Sequence, residues 1–424
     1  MTTELSTLSP PAENPWPEVD RLPTGARAAF AAPVADRLFR RAVRRLPLRV
    51  AYPDGTVLGQ RPTDTAAPLL ELHRPDDFAV RVGVSGLIGF GESYMAGDWS
   101  SPDPAAALTV LADCIEDLVP APLRALRRLY VARHPDAERN SRANTRTNIA
   151  RHYDLSNDFF ALFLDETMTY SSALFTATHP APRHTDLAAA QWRKTDRILD
   201  AARVGPGSRV LEIGTGWGGL ALRAAERGAT VRSVTLSTEQ RDLARDRIAA
   251  AGLTDRVRVD LLDYRQVVGE YDAVVSVEMI EAVGCEYLNI YFRQIERLLA
   301  PHGRAALQAI TMPHHRMLAT RDTYTWIQKY IFPGGFLPST RLLAETAHDA
   351  GLTVGEQFSM RDHYAHTLRL WRAQFIRNAD QVAVLGFDPV FRRMWDLYLA
   401  YAEAGFRSRY LDVEQFVLTR GNEG

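Results

Sequence analysis

Val210-Leu211-Glu212-Ile213-Gly214-Thr215-Gly216-Trp217-Gly218-Gly219 reads as a buried strand that passes through a glycine turn into a helix. The glycines let the backbone approach a ligand closely, and the helix N-terminus beyond them favours anionic groups. Gly214, Gly216 and Gly219 have the G-x-G-x-x-G spacing of dinucleotide sites, a weak signal when it stands alone. Glu212, two residues before the first glycine, is placed to accept a hydrogen bond from the amino group of S-adenosylmethionine (AdoMet). The next apolar run, Thr230 to Leu236, leads into Thr235-Leu236-Ser237. It lacks the ribose-binding acid expected about 20 residues on in an NAD site. The stretch favours AdoMet, with NAD or a turn without a ligand as alternatives.

Working outward, strand and helix patterns alternate: Arg209–Gly214, Thr230–Leu236, Val257–Tyr264, Tyr271–Met279 and Arg304–Thr311, with helical runs between them. This alternation predicts an α/β fold with a parallel sheet covered by helices on both faces. Ligands of such sheets sit at the carboxyl ends of the strands. A helical stretch rich in aromatics and arginine, Tyr364 to Arg407, precedes a last strand near Glu414–Thr419.

Upstream the pattern differs. Residues 1–25 are rich in Pro, Thr, Ser and Glu and read as disordered. Residues 26–133 read as a small α+β domain, with a helix over Val34–Leu46, strands at Leu48–Tyr52 and Phe78–Val84, and a helix from Pro104 to Leu118. Residues 134–147 are charged and read as a linker to a second domain, 148–424. The 424 residues have a formal net charge of −1, so no global field draws polyanions. Nucleic-acid binding is disfavoured further because the basic residues are not interleaved with base-stacking aromatics. Two distant cysteines, Cys114 and Cys285, fit a reducing compartment and neither a disulfide framework nor a zinc site. No apolar run reaches membrane-spanning length, and the N-terminus has no signal-peptide core. Arg37, Arg40, Arg41, Arg44 and Arg45 share a helical face with Leu38, Phe39, Val43 and Leu46 alongside. This pattern reads as an interfacial amphipathic helix that meets anionic headgroups, with a solvated charged face or one that docks internally as the alternative.

One more stretch is dense in polar and aromatic groups: Asn148-Ile149-Ala150-Arg151-His152-Tyr153-Asp154-Leu155-Ser156-Asn157-Asp158-Phe159-Phe160. Together with Tyr170-Ser171, the glycine turn, Thr235-Leu236-Ser237-x-x-Gln240 and Tyr330-Ile331-Phe332-Pro333-Gly334-Gly335, it resembles the cyclopropane-fatty-acyl-phospholipid synthase family of AdoMet-dependent methyltransferases. The resemblance spans 148–421, roughly two thirds of the chain. It implies a class I methyltransferase Rossmann-like sheet with a helical acyl-binding insertion. The smaller N-terminal α+β domain resembles the lipid-binding domain of phospholipid-acting members; members acting on protein-carried acyl chains often lack it. Tyr170 and Ser171 would hold the methionine carboxylate, and Gly214 and Gly216 would line the cofactor with Glu212 in support. Thr235, Leu236 and Gln240 would take the ribose side, and Asp263 and Tyr264 the adenine.

The resemblance also implies the chemistry. An alkene attacks the sulfonium methyl, a carbocation forms on the acyl chain, and a base takes the last proton. Aromatic faces suit such a cation, and Tyr330, Phe332, Phe336, Tyr364 and Trp371 are candidates for the wall. Family members hold bicarbonate as the base, with a cysteine, a glutamate, a histidine and a tyrosine as its ligands. Glu281 and Tyr364 match two of these, whereas Ser172 stands in place of the cysteine and Gln308 in place of the histidine. Glu278 is an extra carboxylate where glycine is common. If this segment were helical, Glu278 and Glu281 would share a side, and two close carboxylates raise the pKa of one of them, which suits a proton acceptor. The alternative is that Glu278 hydrogen-bonds backbone or the Gln308 amide as structure. The set Ser172, Glu278 and Gln308 resembles the actinobacterial branch that makes 10-methylene, later 10-methyl, fatty acids with a separate reductase. The expected substrate is an unsaturated, oleoyl-type phospholipid, and the expected place is the cytoplasmic face of the membrane. A cyclopropane-forming synthase on the same substrate and a non-catalytic AdoMet- and lipid-binding protein are the alternatives. A homo-oligomer is left open.

Overall fold

A computed structural model describes residues 16–60, 67–114 and 155–421. The expected linker, and the segment from Asn148 to Asp154 with His152 and Tyr153, lie outside the described residues.

The glycine turn sits where the sequence places it. Five parallel strands follow one another as β5 (Arg209–Ile213), β6 (Thr230–Thr235), β7 (Val257–Leu261), β8 (Tyr271–Val277) and β9 (Leu299–Thr311). β10 (Leu352–Ser359) and β11 (Asp412–Arg420) complete a seven-stranded sheet of order β10-β11-β9-β8-β5-β6-β7. β11 runs antiparallel to both of its neighbours, so the sheet is mixed rather than wholly parallel. The central strands are mostly apolar and buried because helices cover both faces, and one apolar cluster lies on each side. The chain order reverses beside β5, and the crevice there opens at the carboxyl ends of β5, β6 and β8.

Four earlier strands form a separate sheet of order β2-β1-β3-β4: β1 (Arg49–Ala51), β2 (Val57–Gly59), β3 (Leu69–Leu72) and β4 (Trp99–Ser100). The helices used below are α1 (Ala26–Val43), α2 (Pro75–Ala96), α3 (Pro104–Asp113), α4 (Leu187–Ala201), α5 (Gly219–Glu226), α6 (Thr238–Ala250), α7 (Leu288–Leu298), α8 (Thr340–Asp349), α9 (Arg361–Arg377) and α10 (Pro389–Arg407). The expected helical stretch between β10 and β11 is thus two long helices, α9 and α10, with a short one between them.

Two expectations for the N-terminal part change. Phe78–Val84 is not a strand but part of α2. Its alternating Phe and Val imitate a strand, but Pro75 at the first turn with Asp76 and Asp77 starts a helix. The apolar side of α1 is also not free to enter a membrane. Val43 and Leu46 are buried, and the Phe39 ring packs 4.9 Å from Phe78. Arg40 is taken up by Asp36 at 2.8 Å and lies over the Tyr52 ring.

The two sheets share one apolar core. It runs from Leu48, Val50 and Trp99 through Phe159 and Phe163 to Trp371 and Trp395. Polar contacts reinforce the seam: Tyr94 donates to Asp396, Arg393 Nε to the Met95 carbonyl at 2.6 Å, and Lys329 Nζ to Glu92 at 2.6 Å. Gly91 lets α2 approach Trp326 so closely that a Cβ there would stand 2.4 Å from the indole.

Candidate active site

All ten residues assigned above to the cofactor line one cavity at the carboxyl ends of the strands. With its open mouth it takes in ≈ 1260 Å³. Gly214 and Gly216 have φ of 96° and 51°, a region that residues with a Cβ rarely enter, so the turn depends on glycine. Glu212 is buried and accepts from Ser233 Oγ at 2.5 Å. Burial pushes its carboxyl up to about 8. At the end of β6, Thr235 Oγ1 donates to Gln240 Oε1 at 2.9 Å, while Ser237 caps α6. The Asp263 carboxylate holds Arg265, and Tyr264 packs edge-on against Tyr291. Tyr170 shares a hydrogen bond with Tyr398 at 2.7 Å and stacks on Trp371.

Glu278 directly follows β8 at the wall of the same cavity, and three donors converge on its carboxylate. Oε1 accepts from the Ser172 main-chain N–H at 2.9 Å and from Gln308 Nε2 at 2.7 Å. Oε2 accepts from Tyr364 OH at 2.6 Å. Burial raises the Glu278 pKa and these donors oppose the rise. Gln308 is oriented from behind, since its Oε1 accepts from Gln415 Nε2 at 3.0 Å and Gln415 accepts from Arg197. The Ser172 hydroxyl turns away to its neighbour's carbonyl, so Ser172 serves the site through its backbone.

The helical expectation for Glu278 and Glu281 is corrected. Glu278 has φ 46°, in the left-handed region, and Glu281 sits in a short 3-10 turn. The turn still brings the two carboxyls into electrostatic contact. Burial pushes Glu281 up to about 8, and the Glu278 charge adds to the rise. Glu281 Oε1 accepts from the Ile310 N–H at 2.5 Å, and its buried Oε2 has no partner among the described residues. A left-handed backbone costs a residue with a Cβ roughly 1–2 kcal/mol, which explains why glycine suits this position.

Of the aromatic wall, Tyr364 and Trp371 stand beside Glu278 and Tyr170. Tyr330 instead donates to Glu92 of α2 at 2.9 Å, and Phe336 joins the core under the sheet.

The profile of a family described as mycolic acid cyclopropane synthetase matches residues 140–416. The chain belongs to this family. It is 58% identical to "Tuberculostearic acid methyltransferase UfaA1" of Mycobacterium tuberculosis, over 99% of each chain. It is 33% identical to "Cyclopropane-fatty-acyl-phospholipid synthase" of Escherichia coli K12, over 82% of this chain and 87% of that one. Among solved structures, mycolic acid cyclopropane synthase CmaA1 complexed with SAH and CTAB superposes with TM-score 0.59 at 34% identity. That match covers 64% of this chain and 97% of that one. The protein is therefore an AdoMet-dependent methyltransferase of class I fold.

The residues present fit AdoMet. The turn leaves a cradle without Cβ atoms, and the buried Glu212 carboxylate suits a cationic amino group. A third element was missed in the sequence. Lys194 of α4 is 2% exposed, lines the cavity and donates to Ser171 Oγ at 2.8 Å. Burial pushes its amine down to about 8, while Glu278, Asp165 and Glu212 oppose the drop. Its only signal was periodic, for Lys194 lies on the same helical face as the buried Leu187, Ala190, Gln191 and Ile198. In a cyclopropane synthetase site this amine is suited to hold an anionic group beside Ser171. Trp217 was also unassigned; its indole donates to Asn157 at 2.7 Å and joins the glycine turn to the aromatic stretch upstream.

Proposed function

We propose that this enzyme methylates the double bond of an unsaturated, oleoyl-type phospholipid acyl chain and forms a 10-methylene branch. The observation that carries this reading is the Glu278 carboxylate, held by Ser172, Gln308 and Tyr364 beside the AdoMet cavity. AdoMet supplies the electrophilic methyl. The alkene π pair forms the new C–C bond as the S–CH3 bond breaks, leaving a carbocation on the acyl chain. A hydride shifts to the cationic carbon, and a proton then leaves the added methyl, whose C–H pair becomes the exomethylene π bond. Glu278 receives that proton. Its three donors favour the anionic form against the burial that raises its pKa, and its charge with the Tyr170, Tyr364 and Trp371 rings stabilises the cation. Two carboxyls this close do not both ionise readily, so Glu281 is the protonated partner at neutral pH.

In this reading Glu278 fills the place that bicarbonate takes in relatives, and Tyr170, Ser171, Lys194 and Glu212 hold the methionine end of AdoMet. Thr235, Leu236, Gln240, Asp263 and Tyr264 hold its nucleoside. Residues 26–133 form the lipid-facing domain and 148–424 the methyltransferase domain. A separate reductase would convert the methylene to a methyl branch. Its relatives include both a tuberculostearic acid methyltransferase and a cyclopropane synthase, and the second reading is a synthase that closes the ring on the same substrate.

Product analysis tests the proposal. The protein is expressed in a host that has oleoyl phospholipid and no competing enzyme, and the fatty acid methyl esters are examined by mass spectrometry. One added carbon that takes up hydrogen under mild hydrogenation is expected. An added carbon that resists hydrogenation would establish the cyclopropane, and no added carbon would overturn the lipid reading.

A further inference from the structure

We infer that the outer side of α1 and the adjoining bend of α2 form a docking face for an anionic lipid bilayer. This rests on the phospholipid reading above and names the surface by which the substrate is reached. The inward side of α1 is used up in the core, as described. What remains outside is a different stripe. Phe30, Val34, Arg37, Arg41 and Arg44 recur at helical spacing within an arc of about 80°, along roughly 21 Å of helix. Phe30 is 78% exposed and Val34 44% exposed. Arg37, Arg41, Arg44 and the neighbouring Arg45 are exposed and make no ion pair among the described residues. No acidic side chain lies on the stripe, since Asp36 turns to Arg40.

The second helix extends the face. A Cβ at Gly83 would meet the Ala31 carbonyl at 2.7 Å, so the two helices touch there, and Arg27 donates to the Val84 carbonyl at 3.2 Å. Both contacts bring Phe30 to the end of the pair where α2 bends at Gly86. Leu87, just past the bend, is 69% exposed. The face thus has apolar tips, Phe30, Val34 and Leu87, flanked by four unpaired arginines. Apolar tips suit the acyl boundary and arginines suit anionic headgroups. A soluble acidic partner would not call for the exposed Phe and Leu, whereas a neutral apolar partner would not call for the arginines. One helical turn beyond Leu87, Gly91 and Glu92 contact Trp326, Lys329 and Tyr330. Behind the face, the buried Gly91 and Glu92 thus link α2 to the segment that leads to Phe332, which packs on Tyr398 beside Tyr170.

The test uses the full chain and vesicles of dioleoyl phosphatidylcholine with and without dioleoyl phosphatidylglycerol. Flotation measures partitioning, and labelled AdoMet measures methyl transfer to lipid in vesicles and in detergent micelles. The wild type is expected to partition to the anionic vesicles. R37E/R41E/R44E should lose about a hundredfold or more of that partitioning, and F30S/L87S about tenfold. Both variants change exposed side chains only. They should keep micellar methyl transfer and lose vesicular transfer. Equal wild-type binding to neutral and anionic vesicles would overturn the inference, as would undiminished binding by the arginine variant. Strong anionic partitioning without methyl transfer to any unsaturated lipid would support the docking face and sink the phospholipid reading instead.

Discussion

At the scale of single residues, Glu278 combines two facts that are hard to reconcile unless its side chain is needed. Its backbone is in a region that glycine tolerates better, yet it carries a carboxylate that satisfies three buried donors. E278G is therefore expected to relieve backbone strain and still lose about a hundredfold or more in turnover, in the range of a lost general base. Added bicarbonate should restore part of the rate in E278G, because the vacated donors suit a small carboxylate-like anion. E278Q should show no rescue, because its amide fills the space. Full turnover by E278G in bicarbonate-free buffer would remove Glu278 from the mechanism. Glu212 supplies a test by pH. Its carboxyl is pushed up to about 8, so it is mostly protonated at pH 7 in the free enzyme. A cationic amino group beside it favours the ionised form, so AdoMet binding releases a proton and affinity rises as pH approaches 8. Calorimetry at pH 7 in buffers of different ionisation enthalpy should detect that proton and lose it in E212Q. Binding heats independent of the buffer would contradict this assignment.

At the scale of elements, the glycine turn and the five parallel strands were readable because buried parallel strands are short apolar runs bounded by turns. β10 was not read, since Leu352-Thr353-Val354-Gly355-Glu356-Gln357-Phe358-Ser359 is an edge strand, mostly exposed and interrupted by a register shift. α2 was misread because β-branched residues at every second position mark a strand only when nothing else packs on them. Its position against α1, α10 and Trp326 decides its form. Gly91 in particular is a packing residue. G91A is expected to lower stability by about 1–3 kcal/mol through overpacking against Trp326, seen as a lower midpoint in urea. An unchanged midpoint would mean that the seam between the two sheets yields freely at this point.

At the scale of the whole molecule, one apolar core joins the N-terminal sheet to α10 and the methyltransferase sheet, so the N-terminal part and the methyltransferase part are packed together. The relation to relatives fits this arrangement: the match to UfaA1 spans nearly the full chain, whereas CmaA1 covers only 64% of it. By itself the sequence determined the five parallel strands and the cofactor turn, because strand periodicity and glycine spacing are local properties of the chain. Its resemblance to the family supplied the ten cofactor candidates that line the cavity. It also supplied Glu278, Glu281, Gln308, Ser172 and Tyr364 as candidates. Only the tertiary structure decided how they act together. Ser172 uses its N–H rather than its hydroxyl, Tyr330 faces Glu92 rather than the cavity, and Lys194 enters the site from α4. Each outcome depends on which side chains from distant segments fill one buried space. Hydrogen bonds there must close among groups far apart in the chain, 106 residues between Ser172 and Glu278 and 228 between Tyr170 and Tyr398, and local patterns carry no record of such pairings.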